Sequence, residues 1–173
     1  MALVKTAVSE VAAPDQFYAV SNESADFMSC NSPERLTELL GKVSPGKHIH
    51  FETNGDWSMH DLVLGLLKKL QPVELHIATY AIRENPVRQI IMAMDRKEIT
   101  ALHMLVDNRV KTQAADAYHL IKSNANTFSS GLVHGKATVL KGAKGCVSVI
   151  GEPKLDRQST QRIWSNYNGQ RCG

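Results

Sequence analysis

The sequence predicts an α/β fold with a mostly parallel sheet flanked by helices and a β-hairpin near the C-terminus. Two observations carry that prediction. Short apolar runs such as "VELHIAT" and "ITALHMLVD" alternate with amphipathic stretches of ten or more residues, the signature of βαβ units. After residue 130 the pattern changes to "LVHGKATVL", a "KGAKG" turn and "CVSVIG", two strand-like runs joined tightly enough to pair as a hairpin.

The elements follow in order. Residues 1–30 have little pattern and are read as an N-terminal segment; residues 31–173 are read as one domain. "NSPERLTELLG" is a short helix with Ser32 as N-cap, Pro33 at its first position and Gly41 to stop it. "GKHIHFET" is a strand. "DWSMHDLVLGLLKKL" is a helix capped by Ser58, with Asp61 completing a variant capping box and Lys68 and Lys69 suiting the dipole of its last turn. The cycle then repeats: strand "VELHIAT", helix "NPVRQIIMAMDRK" with Asn85 as cap, strand "ITALHMLVD" and helix "TQAADAYHLIKS". No repeat or low-complexity segment interrupts it.

Composition narrows the function classes. The longest apolar runs fall far short of a membrane span, and "MALVKTAVSEVAAPDQ" has no uninterrupted hydrophobic region, so neither a membrane helix nor a signal peptide is expected. The three cysteines, Cys30, Cys146 and Cys172, are widely spaced and lack a C-x-x-C pattern, which favours free thiols in a reducing cytoplasm. Charge is uneven. Residues 134–173 hold seven Lys/Arg against two acids, a net +5, whereas the first 133 residues carry a net −2. A basic C-terminal region suggests a phosphate-bearing partner.

Ligands of such sheets gather at the carboxyl ends of the parallel strands. Those ends supply Glu52, Thr53 and Asn54, then Tyr80 and Arg83, then Asp107, Asn108 and Arg109. Most loop residues of this kind are turn and cap residues, but the mixture of polar and basic groups suits a phosphate pocket. His48 and His50 share a strand face with His60 nearby, and only Glu52 and Asp61 could complete a metal site, so no metal is expected there. His76 and His103, lone histidines in apolar strands, are read as core, and His119 as a helix residue without a partner.

His134 and Lys136 differ. Their residue types fit one chemistry: a neutral imidazole attacks phosphorus while an ammonium neutralises the non-bridging oxygens. If the run is a strand, their two-residue spacing aims both at one face.

At "HGKATVLKGAKGCVSVIGEPKL" the chain resembles the phospholipase D superfamily, whose signature is H-x-K-x4-D followed by a G-S-x-N turn. The upstream strand–helix–strand–helix–strand succession is similar too, so the resemblance covers roughly residues 47–155. It implies the family's fold and a metal-independent, cofactor-free phosphodiesterase of the nuclease type. His134 aligns with the nucleophilic histidine and Lys136 with the phosphate-binding lysine. Arg83, Arg109, Lys141 and Lys154 are candidate substrate contacts, chosen for charge and position.

The match departs in two places. Lys141 stands where the family places its aspartate, and "GEPK" puts Glu152 and Lys154 where serine and asparagine belong. The family's reaction uses two histidines, and this chain has one H-x-K. An active form is therefore expected to be a homodimer, and the expected partner is nucleic acid or another phosphodiester. The alternative is a lapsed enzyme that keeps a phosphate- or nucleic-acid-binding site.

Overall fold

The computed structural model describes residues 25–29, 33–44, 46–53, 57–151 and 159–166. The elements run β1 (Ala25–Ser29), α1 (Pro33–Lys42), β2 (His48–Thr53), α2 (Met59–Leu70), β3 (Val73–Thr79), α3 (Glu84–Asp95), β4 (Ile99–Asp107), α4 (Val110–Gln113), α5 (Ala115–Asn124), β5 (Thr127–Gly131), β6 (Lys136–Gly142), β7 (Gly145–Gly151) and β8 (Ser159–Asn166). The α/β class is as expected. The strands form one mixed sheet in the order β1-β2-β8-β7-β6-β3-β4-β5.

Parallel pairing is confined to β1 with β2 and to β3, β4 and β5. Between these blocks run three antiparallel strands. The expected hairpin is β6–β7, turning through Ala143 and Lys144, and it sits in the middle of the sheet because β8 returns between β7 and β2. Three strands had no sequence signal. β1 and β8 lie in stretches without clear alternation, and β5, "TFSSG", is short and polar.

Each βαβ unit steps the same way across the sheet, so right-handed crossovers place the helices on one face. Alternation along the strands agrees. Ile49, Phe51, Val73, Leu75, Leu102, Met104, Val106, Leu140, Val147 and Val149 are buried and join the helices' Leu62, Leu66, Leu70, Ile90 and Ile121 in one core. The intervening positions point to the other face, where Glu74, His76, His103, Leu105 and Ile150 keep partial or full exposure.

Local rules hold best at α2. Ser58 accepts from the Asp61 amide, and the Asp61 carboxylate accepts from the Ser58 amide at 2.7 Å, a complete capping box. α3 begins at Glu84 rather than at an Asn85 cap; Arg83 occupies the cap position without a side-chain bond, and Pro86 falls in the first turn, where it costs no helical hydrogen bond. The single helix expected over 112–123 is split at Ala114, whose φ of −146° and ψ of 58° are not helical. The Ser32 cap lies outside the described residues.

Cys146 is disulfide-bonded. The expectation of three free thiols fails there, and the cysteine argument for a reducing cytoplasm falls with it. No helix among the described residues is long and apolar enough to cross a membrane.

Candidate functional site

The carboxyl ends of β3, β4 and β5 meet the start of β6 and the end of β7 along one edge. Lys136 opens β6 and pairs with Thr79 on one side and Gly151 on the other. The Lys136 ammonium stands 5.1 Å from the centroid of the Tyr80 ring, a cation–π contact between two half-buried side chains that contributes about 0.5–2 kcal/mol.

His134 lies outside the strand. β6 begins two residues later, so the expectation that His134 and Lys136 share a strand face is corrected: alternation does not govern "LVHG". The reason is a tether. The Val133 amide donates to Asp107 Oδ2 at 3.1 Å, drawing the chain toward the end of β4 and away from a sheet ladder. Val133 is buried as a result, whereas the His134 ring beside it is exposed and has no hydrogen-bond partner among the described residues.

Asp107 organises this corner. Its side chain is 1% exposed. Oδ1 accepts from Arg109 Nε at 2.6 Å and from the Arg109 amide at 2.9 Å, and the Asn108 amide donates to the Gly131 carbonyl. The Arg109 guanidinium, joined by the amides of Arg109 and Val133, holds the Asp107 carboxyl far below the usual carboxylate range. Because Asp107 engages only Nε, both Nη groups of the 54%-exposed Arg109 remain available to an anion.

The other expected contacts divide. Arg83 is exposed at the start of α3, just beyond β3. Lys141 is not brought to the pair: it lies five residues along β6 on the opposite face, 3.7 Å from Glu74 Oε2. Lys154 and Glu152 lie outside the described residues. His48 and His50 lie on β2, while His60 Nε2 is engaged 2.9 Å from Gln89 Oε1 on α3, so the three histidines form no ligand cluster among the described residues. Two surface clefts, one between α3 and α5 and one between α2 and α3, include neither His134 nor Lys136.

The reading of His76 and His103 as isolated core residues is overturned. They are register partners on β3 and β4 and stack at 4.4 Å beside Glu74. The Glu-x-His spacing of "VELHIAT" was available in the sequence, but the pairing with β4 was not.

No family model matches the chain, and no curated protein does.

Proposed function

We propose that this chain is a phospholipase-D-like phosphodiesterase domain acting on or binding nucleic acid through a histidine nucleophile without a metal. The observation that carries the reading is the convergence of Lys136, Arg109 and the exposed His134 at one edge of the sheet. Lys136 and the free Nη groups of Arg109 supply two cations for the non-bridging oxygens, with Arg83, three residues after Tyr80 at the start of α3, as a further backbone contact.

His134 Nε2 or Nδ1 then attacks phosphorus, forming a P–N bond as the ester oxygen leaves. A second histidine protonates that oxygen, and water afterwards cleaves the phosphoramidate. With one H-x-K per chain, the second histidine comes from a second copy across a two-fold axis.

One observation favours the alternative of a binding module. No carboxylate orients the His134 ring among the described residues, and Lys141, at the family's aspartate position, faces Glu74 instead. The deciding measurement is turnover of bis(p-nitrophenyl) phosphate in EDTA across a concentration series. For the enzyme, rates rise with dimer formation and His134→Ala abolishes them. Absence of turnover in a chain that binds DNA, with affinity insensitive to His134→Ala but reduced by Lys136→Ala, overturns catalysis in favour of binding.

A further inference from the structure

The sheet face turned away from the helices gathers three metal-ligand side chains. Glu74 and His76 are two apart on β3 and so share this face, and His103 is the register partner of His76 on β4. Glu74 Oε1 lies 3.0 Å from His76 Nε2 and 3.2 Å from His103 Nε2. One ligand atom from each residue fits within 4.8 Å of the others. Donors bound tetrahedrally at the Zn–N and Zn–O lengths of 2.0–2.2 Å stand about 3.3 Å apart, so both oxygen–nitrogen separations are close to ligand spacing.

Hydrogen-bond accounting leaves a place for a cation in one of the two His103 tautomers. Thr127 Oγ1 is 2.7 Å from His103 Nδ1. If Nδ1 donates to that hydroxyl, Nε2 keeps its lone pair, and this Nε2 is buried with no hydrogen-bond partner. A carboxylate only accepts, so two lone-pair atoms then face each other at 3.2 Å. Lys141 reaches the other carboxylate oxygen, Oε2, leaving Oε1 to the two imidazoles. The contact is resolved by the other tautomer, in which the Thr127 hydroxyl donates to Nδ1 and Nε2–H faces the carboxylate, or by a metal ion on Nε2. A single ion satisfies all three groups once the two rings, now stacked 14° from parallel, turn about their side-chain torsions so that both ring planes meet at the ion.

We propose that Glu74, His76 and His103 bind a divalent transition-metal ion, with Zn²⁺ the best fit. Two imidazoles and one carboxylate suit zinc over calcium or magnesium, and three protein ligands leave a fourth position for water. Thr127 is the outer partner that fixes the His103 tautomer. The site is separate from the H-x-K edge: Glu74 is five residues from Thr79 along β3, about 16 Å at strand rise, and on the other face.

The test uses the full chain, stripped with EDTA and desalted, then titrated with Zn²⁺ by calorimetry and with Co²⁺ by visible absorption. The expected result is one ion per chain and the intense visible band of four-coordinate Co²⁺. His103→Ala and Glu74→Gln are expected to lose at least ~10-fold in affinity while circular dichroism reports an intact fold. Thr127→Val keeps every ligand and is expected to weaken binding ~10-fold, which serves if a ligand variant does not fold. Wild-type chain that binds neither ion, or variants that bind as tightly as wild type, overturns the proposal and leaves a protonated His–Glu network. Activity at the H-x-K edge is not a readout here, so failure of one proposal does not carry the other.

Discussion

Asp107 shows how one side chain can set the conformation of a functional corner. Its position at a strand end was legible in the sequence, because "ITALHMLVD" ends there. Its partner Val133, 26 residues away, was not, and that bond is why His134 leaves the ladder. The carboxyl is held below its ordinary pKa by Arg109 and two amides, so the folded state favours the ionised form. A depressed folded pKa contributes stability that is fully present above the unfolded value, near 3.9, and is lost as pH falls below it. Asp107→Asn removes the charge at every pH. The expected outcome is a clear destabilisation in urea at neutral pH that shrinks progressively below about pH 4. A difference constant with pH would place the contribution in neutral hydrogen bonding.

Among the elements, α2 was the most legible because capping and amphipathicity act within a few residues of each other. Ser58→Ala is expected to cost about 1 kcal/mol, read from urea midpoints at unchanged slope. Glycines separate two kinds of close approach. A Cβ at Gly142 would meet the Pro72 carbonyl oxygen at 2.7 Å and that of Leu70 at 3.1 Å, where the α2–β3 connection crosses the hairpin. Backbone cannot swing aside, so Gly142→Ala is expected to destabilise by about 1–3 kcal/mol. At Gly65 the nearest atom is Leu40 Cδ1 at 2.5 Å, the mobile end of a side chain on α1, and Gly65→Ala is expected to cost clearly less in the same assay. Equal costs would show that α1 is held as rigidly as the hairpin.

At the scale of the whole molecule, composition and cysteine spacing pointed to free thiols, and the fold places Cys146 in a disulfide. Spacing along the chain says nothing about which residues the sheet brings together. Alkylation of the denatured, unreduced chain is expected to label one of the three cysteines, and reduction to expose all three. Three labels without reductant would return the chain to free thiols. Loss of the bridge is expected to destabilise by about 2–4 kcal/mol.

The sequence by itself determined the α/β class, the positions of α1 and α2, the strands β2, β3 and β4, the β6–β7 hairpin and the strand-end residues Tyr80, Arg83, Asp107 and Arg109. Each of these follows from periodicity, caps or turn chemistry within about ten residues. Only the tertiary structure decided that β8 returns between β7 and β2, that Lys141 sits beside Glu74 rather than Lys136, and that His76 and His103 stack as partners. Those facts depend on strand order and register, set by pairing between distant segments, and a shift of one residue along β4 would have turned His103 into the core.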